Sequence, residues 1–304
     1  MRITTRLLLV AMVAFPCVDQ AQSLPAAAPK TVLVTGASSG IGRKITERLA
    51  DAGYFVYAGA RKAEDLKALA AIKNVQPVRL DVTKPGDIEA AVVTITKGGR
   101  GLYGLVNNAG IATSGTLADM KLEEFELLMA VNVGGPFRVT KAFEPLIVAQ
   151  KGRITTIGSI WGVDASADLP AYAMSKHAME AFTDSLAKEM EPLGVRVSIV
   201  EPGHYNSDIQ KNFALRTGGD LKEADRSMYP PPDEVAAAVE KALFGTTPKR
   251  RYMVVPDEEE AERTIRKQFE RLVQLNEGQR YTYDRAELIR MLDEALHGAR
   301  PRTN

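Results

Sequence analysis

Cysteine, histidine and tryptophan are scarce in this chain of 304 residues, which contains one cysteine, three histidines and one tryptophan. The single thiol, Cys17, cannot close an internal disulfide bond, so the fold does not require an oxidising compartment. The histidines are not spaced with cysteines or acidic residues as metal ligands are, which argues against a metal site. The formal net charge is only +1, so neither a basic surface for nucleic acid nor an acidic tail is indicated.

The apolar run near the N-terminus is too short to span a bilayer comfortably, which takes about 20 residues. It covers residues 7–18, follows two arginines, and precedes Ala21-Gln22-Ser23, a small-residue site typical of signal-peptide cleavage. We therefore expect residues 1–23 to be a signal peptide or an N-terminal anchor, which implies export or membrane contact. The alternative is an N-terminal extension on a cytoplasmic protein. Residues 24–29 are interpreted as a linker.

From Lys30 onwards, short runs of β-branched residues alternate with segments of helical periodicity. Predicted strands cover residues 31–34, 54–60, 75–80, 102–106, 152–157, 195–200 and 252–255. Predicted helices cover residues 40–51, 63–71, 122–149, 171–191 and 233–244, and another begins at Pro85. This alternation predicts an α/β fold, in which a single domain over residues 30–256 contains one doubly wound parallel sheet covered on both faces.

Two further segments interrupt or follow this pattern. The polar stretch over residues 204–232 comes after the sixth predicted strand, beside the carboxyl ends of strands, where a substrate lid would lie. A plain surface loop is the alternative. Apolar residues at helical spacing predict two amphipathic helices in a C-terminal extension over residues 257–304. We expect a solvated helical appendage there; packing on the domain, on a partner subunit or on a membrane are the alternatives.

Three glycines, Gly36, Gly40 and Gly42, follow the first strand and open the first helix. Glycine permits a tight turn and lets backbone amides approach a pyrophosphate, to which the helix N-terminus adds partial positive charge. The spacing G-x-x-x-G-x-G departs from the G-x-G-x-x-G fingerprint, but its place between strand and helix predicts a dinucleotide site. The candidate cofactor residues in this turn are Gly36, Ser38, Ser39, Gly40, Ile41 and Gly42.

The charge of the side chains at the end of the second strand indicates which of NAD(H) and NADP(H) is preferred. A carboxylate there would bind the 2′-hydroxyl of the adenosine ribose and repel a 2′-phosphate. This chain has Ala60, Arg61 and Lys62 instead, and a guanidinium can bind a phosphate bidentately. We therefore expect NADP(H) to be preferred, with NAD(H) as the alternative if Arg61 and Lys62 are only a solvated surface pair.

Tyr172 and Lys176 lie four positions apart on a predicted helix and therefore on one of its faces, and Ser159 precedes that helix. A tyrosine hydroxyl has a pKa of about 10, and a lysine ammonium within about 4–6 Å would lower that pKa. Tyr172 is therefore the candidate general acid/base. Ser159 can donate a hydrogen bond to a substrate oxygen on which negative charge develops. Gly158-Ser159 lacks the Gly-x-Ser-x-Gly elbow, so a serine hydrolase is not predicted.

Further motifs follow the predicted strands in a fixed order. The whole set comprises Thr35–Gly42, Asp81-Val82, Asn107–Gly110, Asn132, Ser159, Tyr172-x-x-x-Lys176 and Pro202-Gly203. In this set the chain resembles the short-chain dehydrogenases/reductases, from about Lys30 to Val255. Residues 180–186 and 199–203 resemble the branch of that family that contains retinol, hydroxysteroid and 3-hydroxybutyrate dehydrogenases.

The resemblance implies a Rossmann fold and a role for each matching residue. Asn132 would position a water that links Lys176 to solvent, and Lys176 would also hold the nicotinamide ribose. Further cofactor contacts are implied for Asp81, Val82, Asn108, Ala109, Gly110, Tyr172, Lys176, Pro202, Gly203 and Ser207. Ser207 stands where the family usually has threonine, so the hydroxyl is kept without the methyl group.

These observations predict an NADP(H)-dependent oxidoreductase, a carbonyl reductase or alcohol dehydrogenase, that interconverts a secondary alcohol and a ketone or aldehyde. The branch resemblance and the apolar segment 160–167 favour an apolar substrate such as a steroid, retinoid or fatty derivative. By resemblance we expect a homodimer or homotetramer that binds a small molecule. Alternatives on the same fold are a dinucleotide-binding sensor or assembly protein without turnover, and an epimerase or dehydratase.

Overall fold

The structure, a computed structural model, describes residues 29–298. The predicted signal peptide or anchor, Cys17 and residues 24–28 of the predicted linker lie outside this range, as do residues 299–304. The strands are β1 (Thr31–Thr35), β2 (Phe55–Ala60), β3 (Val75–Arg79), β4 (Gly104–Asn107), β5 (Arg153–Ile157), β6 (Arg196–Pro202) and β7 (Arg251–Val254). The helices are α1 (Gly40–Asp51), α2 (Ala63–Ala70), α3 (Pro85–Lys97), α4 (Leu122–Asn132), α5 (Gly134–Ala149), α6 (Pro170–Met190), α7 (Ile209–Thr217), α8 (Asp233–Phe244), α9 (Glu258–Asn276) and α10 (Arg285–Gly298).

The order of the strands opens a cleft near the middle of the sheet. The strands pair in the order β3-β2-β1-β4-β5-β6-β7, and all the pairings are parallel. The chain therefore winds outward from β1 to β3 and then adds β4 on the other side of β1. At such a reversal the loops after two neighbouring strands diverge, and a crevice opens at the carboxyl ends. This topology confirms the predicted doubly wound parallel sheet of the Rossmann type.

Side chains of the central strands alternate between two buried clusters, one on each face of the sheet. Val32 and Val34 belong to the cluster that contains α1 and α8 residues, whereas Leu33 belongs to the cluster with α3 and α5 residues. Every residue of β1 is buried. Helices cover both faces, and this is why the strand has a continuous apolar run rather than an alternating pattern.

The single helix predicted over residues 122–149 is wrong, because two helices occupy this segment. Helix α4 ends at Asn132 and α5 begins at Gly134. Glycine disfavours a helix interior, and proline is tolerated only in a first turn, where its missing N–H is not needed. Pro136 accordingly lies in the first turn of α5, while Pro145 lies inside that helix without ending it.

The segment predicted to be irregular, residues 204–232, contains the short helix α7. Among the residues of α7, only Ala214 is buried, so no apolar stripe marks this helix in the sequence. Helix α7 ends at Thr217, and the next residue, Gly218, has a φ of 77°, in the left-handed region that favours glycine.

The two helices predicted in the C-terminal extension are α9 and α10, but a solvated appendage is the wrong description of the beginning of α9. Glu260 and Thr264 are buried there, whereas no residue of α10 is buried. The apolar residues on which the prediction rested, Ile265 and Phe269, remain 49% and 48% exposed. Polar side chains therefore attach α9 to the rest of the protein, and apolar periodicity did not reveal that contact. None of the helices among residues 29–298 combines the length and hydropathy needed to cross a membrane.

Replacing Gly42 with alanine should destabilise the fold. A Cβ at this position would lie 3.0 Å from the carbonyl carbon of Gly36, and closer still to its oxygen and to Nδ2 of Asn108. We expect Gly42→Ala to lower the free energy of unfolding by about 1–3 kcal/mol, measured by urea denaturation. The control is Gly86→Ala in α3, where a Cβ would meet nothing within 4 Å; it should be neutral or stabilising, and equal losses in both variants would contradict the argument.

Candidate active site

One cavity at the carboxyl ends of the strands brings the predicted site residues together. Its volume is about 690 Å³, and its walls come from the segments that follow β1 to β6. It is lined by Gly36, Ser38, Ser39, Gly40, Ile41, Gly42, Arg61, Asp81, Val82, Asn108, Ala109, Gly110, Ser159, Tyr172, Lys176, Pro202, Gly203 and Ser207. Among the predicted residues, Asn132 alone does not line it.

The turn between β1 and α1 requires glycine for close approach. Gly36 and Gly40 have φ angles of 64° and 51°, and a Cβ at Gly36 would lie 2.8 Å from the Cα of Ala109. Nδ2 of Asn108 donates hydrogen bonds to the carbonyl oxygens of Thr35 and Gly36, at 2.9 and 3.0 Å. These bonds join the end of β4 to the turn and engage its carbonyl oxygens, which would otherwise repel an anion.

The carboxylate of Asp208 lies at the start of α1. Its Oδ2 accepts a hydrogen bond from the backbone N–H of Gly40 at 3.1 Å. A helix N-terminus attracts anions because its first amides lack helical partners and its dipole is positive there. Sequence reasoning missed Asp208, since no local pattern shows that the segment after β6 folds back over the glycine turn.

The predicted adenosine end of the cavity carries charges of both signs. Arg61 and Lys62 are exposed after β2, and Asp65 also lines the cavity. Asp81 accepts hydrogen bonds from the backbone N–H and the hydroxyl of Thr83, at 2.9 and 2.7 Å. Burial would raise the pKa of Asp81, but these hydrogen bonds and the nearby charge of Arg61 outweigh it and lower the pKa. Asp81 is therefore an ionised acceptor beside a cation.

Tyr172 and Lys176 occupy successive turns of α6 and face the end of β5. Nζ of Lys176 lies 5.6 Å from the centre of the Tyr172 ring and donates to the carbonyl oxygen of Ile157 at 2.9 Å. Ser159 follows β5, and its hydroxyl donates a hydrogen bond to the carbonyl oxygen of Pro202 at 3.4 Å and lies close enough to the phenol of Tyr172 to lower its pKa. The structure thus brings a phenol, an ammonium and a hydroxyl to one wall of the cavity.

Asn132 supports this wall from behind. Its Oδ1 accepts a hydrogen bond from the N–H of Ile111, and its Nδ2 donates to the carbonyl oxygen of the same residue, both at 2.9 Å. The Nδ2 also donates to the hydroxyl of Ser175 at 3.1 Å. The side chain therefore joins the segment after β4 to α6. The role implied for Asn132 in positioning a water stays a prediction.

Burial dominates the ionisation of the Tyr172–Lys176 pair. It raises the pKa of Tyr172 to about 12, opposed by the hydrogen bond from Ser159. Burial also lowers the pKa of Lys176 to about 8, opposed by the charge of Glu180. The expected lowering of the tyrosine pKa by the ammonium is therefore not found in the protein alone, because desolvation penalises both charged forms. The phenol carries its proton near neutral pH, as a general acid must.

Two carboxylic acids, Glu180 on α6 and Glu201 on β6, lie behind Lys176. Nε of Arg251 is 3.0 Å from Oε2 of Glu180 and 3.6 Å from Oε1 of Glu201. Burial and, next, the charge of Glu180 raise the pKa of Glu201 to about 8, so this acid keeps its proton near neutral pH. Sequence reasoning missed both acids. The position of Glu180 one turn beyond Lys176 is the signal that could have identified the first of them.

The apolar segment 160–167 contributes less to the cavity than predicted. Trp161 lines it, but Ile160 and Val163 are buried in the interior, at 1% and 7% exposure. The segment begins with a single 3-10 turn over Ile160–Gly162, in which Ile160 and Gly162 are buried.

The segment predicted as a substrate lid lines the same cavity. His204, Leu215 and Tyr229 come from it, and all three line the cavity. Sequence reasoning named none of the three, since they are dispersed along a polar segment without periodicity. Within residues 29–298, no three histidine, cysteine, aspartate or glutamate side chains lie close enough together to hold a metal ion.

Comparison with known proteins agrees with this geometry. D-beta-hydroxybutyrate dehydrogenase, mitochondrial, from Mus musculus is 35% identical over 226 residues, which are 69% of this chain and 66% of that protein. Retinol dehydrogenase 5 from Mus musculus is 39% identical over 202 residues, 64% of this chain and 63% of that protein. The chain thus spans less than two thirds of the length of these curated relatives.

Solved structures of similar fold include a short-chain dehydrogenase from Streptomyces avermitilis, with a TM-score of 0.69 and 28% identity. The match covers 91% of this chain and all of that one. A metagenomic short-chain oxidoreductase in complex with NADP has a TM-score of 0.62 and 29% identity, covering 75% of this chain and 97% of that one.

The family comparison covers β1 to β6 and the wall of the cavity that Ser159, Tyr172 and Lys176 form. A family model described as short chain dehydrogenase matches residues 30–217, which contain all the predicted site residues. The resemblance seen in the sequence is thereby confirmed, and the chain belongs to the short-chain dehydrogenase family.

Proposed function

We propose that this protein is an NADP(H)-dependent oxidoreductase that interconverts a secondary alcohol and a ketone or aldehyde. The observation that carries the proposal is the meeting of Tyr172, Lys176 and Ser159 with the glycine turn in one cavity. The names of two relatives, a hydroxybutyrate dehydrogenase and a retinol dehydrogenase, support the same reaction class.

The residues of the cavity suit a dinucleotide. Gly36 and Gly42 let the turn pack closely on Ala109 and Asn108, where a Cβ would collide, and the amide of Gly40 already binds a carboxylate. The cavity continues from this turn to Arg61 in one direction and to Tyr172 in the other. When bound, the dinucleotide supplies or accepts the hydride. The glycine turn would hold its pyrophosphate, and Lys176 would hold its nicotinamide ribose.

Tyr172 moves the proton in this reaction. In the direction of reduction, its phenol donates a proton to the carbonyl oxygen, to which Ser159 also donates a hydrogen bond. The phenolate that remains is stabilised by the ammonium of Lys176, whose Nζ lies 5.6 Å from the ring centre. In the direction of oxidation, the same phenolate removes the proton from the alcohol.

The charges beside β2 favour NADP(H). That strand ends without a carboxylate, and the exposed Arg61 and Lys62 that follow it both line the cavity, where they can meet a 2′-phosphate. Nζ of Lys62 also lies 4.0 Å from Oε1 of Glu64. Asp65 lines the same part of the cavity on α2 and opposes the two cations. We propose that Arg61 makes the deciding contact, because its guanidinium can form two parallel hydrogen bonds with phosphate.

An apolar substrate suits the other end of the cavity. Trp161 and Leu169 belong to the segments beside Ser159 and Tyr172, and Leu215 adds apolar surface to the same cavity. The retinol dehydrogenase among the relatives agrees with this choice. We propose a ketone or secondary alcohol with an apolar body, such as a steroid, retinoid or fatty derivative.

Replacement of Tyr172 by phenylalanine tests the reaction. A panel of ketones and secondary alcohols is assayed by the absorbance of NADPH and NADH, and Tyr172→Phe should lower kcat by about 10²–10⁴-fold. Binding of NADPH, followed by quenching of the chain's one tryptophan, Trp161, should persist. The control is Tyr281→Phe, at a residue 65% exposed, which should retain full activity. Unchanged turnover in Tyr172→Phe would favour a dinucleotide-binding sensor instead.

Replacement of Arg61 by serine tests the cofactor choice. Loss of a charge-assisted contact at an exposed site should raise the KM for NADPH by about tenfold and change the KM for NADH by less than about twofold. The control is Lys67→Ser, an exposed cation on α2 that does not line the cavity. If the KM values for both dinucleotides respond equally, Arg61 does not read the 2′-phosphate.

Replacement of Asp208 by asparagine should tighten dinucleotide binding. The carboxylate now bonded to the amide of Gly40 repels a pyrophosphate, whereas an amide side chain does not. We expect the Kd of NADPH to fall by about 3- to 10-fold, which corresponds to roughly 1 kcal/mol of charge repulsion in a partly solvated site. Asp220→Asn, at an exposed residue of the same segment, should leave the Kd unchanged. A higher Kd of NADPH in Asp208→Asn would mean that Asp208 stabilises the complex with the dinucleotide.

A further inference from the structure

The first turn of α9 contributes a buried side chain that holds a lining residue of the cavity from behind. Glu260 is only 9% exposed, and both of its carboxylate oxygens bind His204. Oε2 accepts a hydrogen bond from the backbone N–H of His204 at 3.1 Å, and Oε1 bonds Nδ1 of the ring. The ring lines the cavity and stacks on Tyr229, another lining residue, with 5.4 Å between ring centres. One carboxylate therefore holds both the backbone and the side chain of a residue in the cleft.

The backbone before His204 is shaped by the same contact. A Cβ at Gly203 would lie 3.0 Å from Cγ1 of Val255 and closer still to Oε2 of Glu260. The carboxylate therefore packs directly on the Pro202–Gly203 segment, which belongs to the cofactor motif. Only glycine leaves room for Glu260 at this point.

Two further polar contacts place α9 along the catalytic wall. Nε of Arg263 lies 3.8 Å from Oδ2 of Asp164, in the segment after Ser159. A guanidinium nitrogen of Arg271 lies 2.7 Å from Nε2 of His177, the residue after Lys176. The match to the family model ends at residue 217, so this helix lies outside the matched region.

We propose that Glu260 is a positioning residue, which fixes His204 and the adjoining Gly203 backbone in the wall of the cavity where proton and hydride transfer take place. The inference rests on the proposed function. Buried carboxylates are stable only when hydrogen-bonded, so the two bonds to His204 hold each partner in one place. Because Nδ1 is committed to Glu260, Nε2 is the ring nitrogen left to meet a ligand. Displacement of a catalytic wall by about 1 Å can cost about 10²-fold in rate.

Variants of Glu260 and His204 test this positioning. Glu260→Gln keeps the shape and can still hydrogen-bond both the backbone and the ring of His204, whereas Glu260→Ala removes both bonds. His204→Ala breaks the ring contact from the other side without altering α9. Glu259→Gln, at the exposed neighbouring residue, is the matched control. Each protein is assayed with NADPH and its best carbonyl substrate from the panel.

We expect Glu260→Ala and His204→Ala each to lower kcat by about 10- to 100-fold, while the Kd of NADPH, read from Trp161 quenching, changes by less than about threefold. Glu260→Gln should stay within about threefold of the wild-type kcat. The kcat of the double variant, with both Glu260→Ala and His204→Ala, should lie within about threefold of the kcat of the less active single variant, because both residues act through one contact. If the contact between Glu260 and His204 only stabilised the fold, the variants would have a lower melting temperature but would not lose kcat while keeping their affinity for NADPH.

Amide hydrogen exchange decides the same question without turnover. The N–H of His204 should be protected in the wild-type protein and in Glu259→Gln, and should exchange faster in Glu260→Ala. The proposal is overturned if His204→Ala or Glu260→Ala keeps kcat within about twofold of wild type, or if Glu260→Gln falls as far as Glu260→Ala. Absence of turnover in the wild-type protein would overturn the proposed function instead, and exchange at His204 would then decide whether Glu260 holds this segment.

Discussion

The cavity depends on a lysine ammonium that is held out of water. Lys176 is 7% exposed, and its Nζ donates to the carbonyl oxygen of Ile157 at the end of β5. Burial makes this charge costly, and Glu180 offsets part of the cost from one turn further along α6. In such surroundings a charge acts on its neighbours more strongly than it would at the surface. The end of the central sheet, the start of α6 and the phenol of Tyr172 all meet around this one group.

The same burial sets the state in which the protein meets its ligands. Tyr172 keeps its proton because desolvation outweighs the opposing effect of the hydrogen bond with Ser159. Removing that proton therefore requires a further positive charge or a strong hydrogen bond at the phenol, both of which a bound dinucleotide and substrate can provide. Until a ligand binds, the phenol of Tyr172 is consequently protonated and can act as a general acid. An analogous competition exists at the glycine turn, where Asp208 takes the amide that an anionic ligand would use.

The first helix of the C-terminal extension contacts segments that form the site, although none of its residues lines the cavity. Its first helix meets the segments that follow β5 and β6 and the residue after Lys176, through Arg263, Glu260 and Arg271. All three contacts are polar, and the apolar stripe of the helix stays half-exposed. Hydrophobic periodicity does not reveal a helix that packs on the protein through charged side chains. This is why the sequence suggested a solvated appendage.

Local chemistry alone determined a large part of this protein from its sequence. Strand–helix alternation, the glycines after β1 and the i, i+4 spacing of Tyr172 and Lys176 are set by neighbours in the chain. The fold and the residues that meet in the cavity could therefore be predicted. Tertiary structure decided the contacts of Asp208, Glu201 and Glu260, and the ionisation of Tyr172. Each of these depends on segments distant in sequence and on the exclusion of water between them, which no local pattern records.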